Sequence, residues 1–186
     1  MRACLTVALL ALAGELCFAP PPSAHAQSSD IEREWRTFNM AQSAHTRGRT
    51  AALAGDRSAA DAELGNAAEL YRQLLVINSL RKDLYAPLAD TLLRRGNAAA
   101  AYALCVQQVR AGVREVPLQV QLIHALIGMR RFRHAVEEAG QFVQATPGDP
   151  RLLAAQGEAA AEAGETELAV RALGQALAGK GLKTGL

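Results

Sequence analysis

The sequence is poor in aromatic residues and in cysteine. Its 186 residues include four phenylalanines, three tyrosines and one tryptophan. Three cysteines are present, and Cys105 is the one that lies outside the N-terminal leader described below. A single cysteine cannot form an internal disulfide, which excludes the class of small exported domains that are held together by disulfides. A core must therefore be built largely from small aliphatic side chains.

The chain also lacks an excess of either charge. It has 20 lysines and arginines against 18 acidic residues, which gives a formal net charge of +2. Domains that bind nucleic acid typically carry a strongly basic surface. We therefore predict no nucleic-acid partner.

No apolar run reaches the roughly 20 residues needed to span a bilayer. The longest uncharged, mostly apolar run covers residues 3–14, and Arg2 precedes it. The prolines at 20–22 follow, and residues 24–26 (Ala-His-Ala) form a small-x-small cleavage pattern. This layout predicts a secretory signal peptide that is cleaved before Gln27. A retained membrane anchor is the alternative.

Export follows from the signal peptide. We expect a periplasmic protein, with secretion or outer-membrane association as alternatives, and we expect no membrane-spanning segment after processing. The predicted leader covers residues 1–26, so that cleavage leaves 160 of the 186 residues. That length is sufficient for one domain.

Motifs for catalysis and for metal binding are missing as well. Outside the leader there is no glycine-rich phosphate loop, no serine-centred elbow and no pair of cysteines. His45, His124 and His134 lie outside the leader, and none of them has the two-histidine spacing of a metal site on a helix. We therefore predict no enzymatic activity, no cofactor and no metal. An envelope enzyme is the least favoured of three functional hypotheses.

What the sequence does contain is apolar residues at helical spacing, with almost no strand pattern. Ser29 and Glu32 have the spacing of a capping box, which predicts that the first helix begins there. Ile31, Trp35 and Phe38 then fall on one apolar face.

A second helix is predicted after a turn at Gly55-Asp56. Its apolar face carries four residues at helical spacing, and Asn78-Ser79 ends it. These four residues are Leu64, Ala68, Tyr71 and Leu75.

From Lys82 onward the sequence repeats with a 34-residue period, which is typical of stacked helical hairpins. Small or apolar residues recur at this interval in two sets, Ala101, Ala135 and Ala169, and Leu92, Leu126 and Ala160. Gly96 and Gly164 stand at predicted turns two periods apart, and Arg130-Arg131 occupies the turn between them. Pro147 ends the middle repeat.

Four slots of the repeat can be compared across the three periods. An aromatic slot holds Tyr85, Gln119 and Leu153, and the next pair holds Leu88-Ala89, Leu122-Ile123 and Gln156-Gly157. A later apolar slot holds Cys105, Ala139 and Leu173, and a small-residue slot holds Gln108, Phe142 and Ala176. This pattern resembles that of the tetratricopeptide repeat family, whose signature residues span two antiparallel helices. Ile123 and Gln108 depart from it.

The resemblance implies an all-α fold, namely an α-solenoid of antiparallel helical hairpins wound as a right-handed superhelix. We expect about eight helices after the signal peptide. The predicted units are a degenerate N-terminal hairpin at 27–81, three repeats at 82–115, 116–149 and 150–183, and a tail at 184–186.

The resemblance also implies a partner-binding groove on the concave surface, lined by the first helix of each hairpin. The predicted lining residues are Asp83, Ala86, Asp90, Arg94, Val120, His124, Ile127, Arg151, Ala154, Glu158 and Glu162. Asp90, His124 and Glu158 form a row with the spacing of the repeat. Successive first helices stand roughly 10 Å apart, so two carboxylates at the ends of the row lie about 20 Å apart and cannot share one metal ion. We therefore predict a polar groove lining and no active site.

The arginine cluster at 130–133 and Cys105 can each be interpreted in two ways. Arg130, Arg131 and Arg133 lie beside His134 and form either a solvated turn or a docking patch for an acidic partner. Cys105 occupies a core slot, which favours a buried structural thiol over a redox role.

The leading functional hypothesis is a non-enzymatic scaffold that binds a partner protein in its groove. Similar small exported repeat proteins often serve the assembly of envelope machinery such as secretion systems, pili or polysaccharide export. The groove lacks asparagine and contains Asp90, which disfavours a partner's terminal carboxylate as the ligand. The alternative is a homo-oligomer that stacks through the last hairpin, because no capping helix follows Ala178.

Overall fold

A computed structural model describes residues 24–181, which form eight α-helices. Most of the predicted leader and the predicted tail at 184–186 lie outside these residues. The helices are α1 (Ala24–Leu53), α2 (Arg57–Ile77), α3 (Tyr85–Arg94), α4 (Ala98–Arg110), α5 (Val116–Gly128), α6 (Phe132–Ala145), α7 (Pro150–Ala163) and α8 (Thr166–Gly181). One 3-10 turn, Lys82–Leu84, precedes α3.

The helices form four consecutive hairpins. Helix α1 packs on α2, α3 on α4, α5 on α6 and α7 on α8, and the second helix of each hairpin packs on the first helix of the next. The first helices α3, α5 and α7 also pack side by side. Because each hairpin contacts its neighbours in sequence, the arrangement is a solenoid, which confirms the predicted all-α fold class.

The turns inside the last three hairpins have the same geometry. Gly96, Arg130 and Gly164, which occupy the same position in successive periods, have positive φ angles of 76°, 59° and 82°. In each case the next N–H donates to a carbonyl five residues back, as from Arg131 to Leu126 at 2.9 Å. Arg130 is the non-glycine member, and a left-handed backbone costs such a residue roughly 1–2 kcal/mol.

Small residues at the helix crossings allow the backbones to approach closely. Ala101 and Ala135 are fully buried and Ala169 is nearly so, as the repeat period predicts. At Gly157 an added Cβ would lie 2.6 Å from Leu173 Cγ and 3.3 Å from the Ala169 carbonyl oxygen. The alanine- and glycine-rich last hairpin is therefore held together by close contact between α7 and α8.

The second predicted helix agrees with the structure. Asp56 caps α2 by accepting a hydrogen bond from the Ala59 N–H at 2.9 Å, and Asn78 is the C-cap residue. Of the four predicted apolar positions, Leu64, Ala68 and Tyr71 are buried.

The start of the first helix was predicted wrongly. Helix α1 begins at Ala24, so the predicted capping-box residue Ser29 lies inside it. Ile31 and Trp35 are 68% and 66% exposed, whereas Phe38 is half-buried. The antiparallel partner α2 ends at Ile77, so the first turns of α1, which carry Ile31, extend beyond it.

Candidate functional groove

Helices α3, α5 and α7 together line an open depression of about 550 Å³. Six of the eleven predicted groove residues line it, together with three residues that were not predicted. The predicted residues are Asp90, Arg94, His124, Ile127, Glu158 and Glu162, and the additional ones are Leu93, Gly128 and Ala161. We refer to this depression as the groove.

The three additional residues follow the same period as the predicted ones. Leu93 and Ala161 stand one period before and one period after Ile127, and Gly128 stands midway between Arg94 and Glu162 in the same way. Applying the repeat to every lining position would therefore have found them. Leu93, Ile127 and Ala161 give the groove an apolar strip, and the charged residues stand on either side of it.

The predicted row of Asp90, His124 and Glu158 is not a continuous chain of contacts. His124 Nε2 lies 3.1 Å from Glu158 Oε2, which links α5 to α7. Asp90 is bound elsewhere, because its Oδ2 accepts from Arg94 Nε at 2.8 Å and lies 3.1 Å from His45 Nε2. The sequence did not indicate the contact with His45, a residue of the first hairpin.

The surroundings of Asp90 shift the pKa of its carboxyl group. Burial raises its pKa, but the hydrogen bonds from His45 and Arg94 and the charges of these residues outweigh burial, so the pKa lies below the ordinary aspartate value. Its negative charge is therefore retained, and it is neutralised by neighbours within the chain. Glu162 has no ion-pair partner among residues 24–181.

The other predicted lining residues lie away from this depression. Asp83 accepts from Arg81 at 2.8 and 2.9 Å, and Arg151 pairs with Asp149, the cap residue of α7. In both pairs the arginine hydrogen bonds lower the pKa of the aspartate. Ala86 is buried in the core and does not line the groove. Val120 and Ala154 are half-buried.

Comparison with known proteins identifies the architecture. No protein-family model and no curated protein matches the sequence. Among solved structures, the chain is similar to TTC0263, a thermophilic TPR protein of Thermus thermophilus. The identity is 21% and the TM-score is 0.58 over 74% of this chain and 73% of that one. It is also similar to MamA, at 17% identity and a TM-score of 0.55 over 87% of this chain and 90% of that one.

The protein has a tetratricopeptide repeat (TPR) fold. The resemblance drawn from the period of the sequence is thereby confirmed at the level of the fold. The groove is lined by the first helices of the three TPR units.

A second depression, of about 340 Å³, lies at the turn between the two helices of the middle TPR unit. We call Arg130, Arg131 and Arg133, which line it, the arginine patch. Phe132, His134, Glu162 and Ala163 complete the lining. Since Glu162 lines both depressions, the arginine patch adjoins the groove.

Cys105 is fully buried in the TPR core, as its slot predicts. Burial raises the pKa of its thiol to about 12. The thiolate, which is the reactive form, is therefore scarce at neutral pH.

Within residues 24–181, no three histidine, cysteine, aspartate or glutamate side chains are grouped so that they could hold a metal ion. None of the described helices is both long and apolar enough to cross a membrane.

Proposed function

We propose that this protein is an exported, periplasmic scaffold without enzymatic activity, which holds a segment of a partner protein in its groove. The observation that carries this proposal is the convergence of charged and apolar side chains from three successive first helices on one open depression. An open trough suits a chain segment better than a small molecule, which usually binds in an enclosed pocket.

The chemistry of the groove supports a segment with both apolar and polar side chains. Leu93, Ile127 and Ala161 can be covered by the apolar face of an extended peptide or a helix. Glu158 and Glu162, one helical turn apart on α7, favour a partner with basic residues and disfavour a terminal carboxylate.

The compartment and the pathway rest on the leader pattern. An exported scaffold of this kind suits the assembly of an envelope complex, such as a secretion system, a pilus or a polysaccharide-export machine. If the leader is processed as we propose, the intact mass of the protein from cells will correspond to a chain that starts at Gln27. A full-length chain in the membrane fraction would instead indicate a retained anchor.

Site-specific crosslinking in cells tests the groove. A photoreactive residue at Ile127 should capture a partner, whereas one at Gln107, an exposed residue of α4, should not. The double substitution His124→Ala and Glu158→Ala should abolish capture from Ile127. Asp90 is left unchanged because its bonds to His45 and Arg94 join parts of the fold. Equal capture from both positions, or capture that the double substitution does not affect, would reject the groove.

Self-association is the second candidate, and an exposed stripe on α8 favours it. Val170, Leu173 and Leu177 are 68%, 38% and 69% exposed and follow the 3–4 spacing of a helix-packing seam. In the preceding units the second helix is covered by the next hairpin. Three side chains fall well short of the roughly 1,200 Å² of total area buried in stable interfaces, so we expect weak, concentration-dependent association.

Sedimentation velocity over a range of concentrations tests this candidate. The mass should rise with concentration in the wild type, and Leu177→Lys should prevent the rise. A mass that is constant and monomeric at all concentrations would exclude it.

A further inference from the structure

The three arginines of the arginine patch have no carboxylate partner among the described residues. Arg110, Arg114 and Arg171 also lack one, but they do not line this depression. Arg94 is paired with Asp90, Arg95 with Asp61 and Arg151 with Asp149. No ion pair within residues 24–181 involves Arg130, Arg131 or Arg133. Three neighbouring guanidinium groups are thus free to bind an external anion.

Aromatic rings hold two of the three guanidinium groups in place. Arg130 Cζ lies 5.9 Å from the centre of the Phe132 ring, and Arg131 Cζ lies 6.0 Å from that of Tyr102. A guanidinium over a ring face keeps its N–H edges available for hydrogen bonds. The partial ordering also reduces the side-chain entropy that is lost when a ligand binds.

The turn itself does not require an arginine at position 130. The equivalent positions of the neighbouring units are Gly96 and Gly164, which adopt the same left-handed conformation without a side chain. An Arg130→Gly variant therefore keeps the turn and removes the charge.

We propose that the arginine patch binds a short acidic segment of a partner protein. Aspartate and glutamate side chains accept paired hydrogen bonds from a guanidinium group, and such bonds are the stronger, charge-assisted kind. The depression of about 340 Å³ between the arginines and α7 leaves room for a few carboxylate side chains. This site adjoins the groove, since Glu162 lines both depressions, but it does not require the groove to be occupied.

The surrounding charges favour a short acidic peptide over a nucleic acid. Glu162 lines the same depression, and Glu138 on α6 pairs with His134 at 3.3 Å. These carboxylates interrupt the basic surface within one or two helical turns. Nucleic-acid binding depends on an extended basic surface that contacts several phosphates along the backbone.

Fluorescence anisotropy with a labelled hexaglutamate peptide tests the proposal on the full chain. Arg130→Gly should weaken binding by about tenfold, the loss expected for a charge-assisted hydrogen bond. It should melt at or above the wild-type temperature, because glycine relieves the left-handed conformation. Arg133→Gln should also weaken the binding of hexaglutamate. The control Arg114→Gln removes an exposed positive charge outside the patch and should change affinity less than about twofold.

Further probes distinguish binding at the arginine patch from binding in the groove and from attraction to any polyanion. A hexaglutamine peptide should not bind, and the groove variant His124→Ala with Glu158→Ala should bind hexaglutamate like the wild type. Equal affinity in Arg130→Gly and the wild type would overturn the proposal. The proposal would also be overturned if single-stranded DNA or anionic lipid vesicles bound the wild type more tightly than hexaglutamate does, and if the Arg130→Gly substitution removed that binding.

Discussion

His45 Nε2 lies 3.1 Å from Asp90 Oδ2, and this contact joins the N-terminal hairpin to the first TPR unit. The other ring nitrogen of His45 lies 2.8 Å from Thr91 Oγ1, whose hydroxyl donates to the Pro87 carbonyl at 2.7 Å. Thr91 is fully buried, whereas the Asp90 side chain is partly exposed in the groove. Asp90 therefore lines the groove and also fixes the first hairpin against the groove.

Replacing Asp90 with asparagine should destabilise the protein in a pH-dependent manner. Burial raises the pKa of Asp90, but the bonds from His45 and Arg94 lower it by a larger amount. The folded-state pKa therefore lies below the unfolded value. Such a group stabilises the fold above its unfolded pKa of about 3.9, and this contribution is lost as the pH falls through the lower folded value. We expect Asp90→Asn to cost about 1.5–3 kcal/mol at pH 7, as a charged hydrogen-bonding partner is removed.

Urea unfolding between neutral pH and pH 3 measures this effect. The stability difference between the wild type and Asp90→Asn should shrink as the pH falls below about 4. The control is Asp61→Asn, which breaks an exposed pair with Arg95 and should leave the unfolding midpoint unchanged. A difference that stays constant across this range would show that the charge of Asp90 does not stabilise the fold.

Gly157 should not tolerate a side chain. An alanine Cβ would lie 2.6 Å from Leu173 Cγ and 2.8 Å from Leu173 Cδ2, with the Ala169 carbonyl oxygen at 3.3 Å. Helices α7 and α8 would have to separate, and we expect Gly157→Ala to cost about 1–3 kcal/mol.

The matched control lies on the facing helix. Gly174 has no atom within 4 Å of an added Cβ, so Gly174→Ala should be neutral or stabilising by up to about 1 kcal/mol. Thermal unfolding of both variants decides the point. If the melting temperature of Gly157→Ala were no lower than that of Gly174→Ala, α7 and α8 would not be as closely packed as described.

The sequence predicted the repeats well because one pattern occurs three times in them. The buried positions of Ala101 and Ala135, and the presence of a turn at Arg130, follow from the repeat period. Each period supports the assignment of the others, so a local departure such as arginine in place of glycine does not obscure the turn.

The N-terminal hairpin was harder to predict for a physical reason. The spacing of Ile31 and Trp35 indicates an apolar face, but it contains no information on how far α2 extends alongside α1. The pairing of His45 with Asp90 was missed for a similar reason, since His45 precedes the region that follows the period. The groove residues after Lys82 could be predicted because their helices pack side by side in register.

Cys105 should be unreactive in the folded protein. It is fully buried, so reagents cannot reach it, and burial raises the pKa of its thiol to about 12. The reactive thiolate is therefore scarce at pH 8. Alkylation by iodoacetamide, followed by mass spectrometry of the peptide that contains Cys105, should proceed many times more slowly than in urea. Labelling of Cys105 at the unfolded rate in native buffer would indicate an exposed thiol and reopen a redox role.

Enlarging Ala135 tests the repeat packing at the centre of the solenoid. Ala135 is fully buried in the core that contains Cys105 and Leu126. A phenylalanine there would overpack a helix crossing, and we expect Ala135→Phe to cost about 1–3 kcal/mol or more.

The control for this substitution is Ala103→Phe, at an exposed position of α4, which should change stability by less than about 0.5 kcal/mol. Both free energies of unfolding can be measured by urea denaturation. A lower free energy of unfolding in Ala135→Phe but not in Ala103→Phe would support close packing at the periodic alanines as the feature that holds the hairpins together. Equal stability of the two variants would mean that this crossing has room for a large side chain, which contradicts a solenoid packed through small residues.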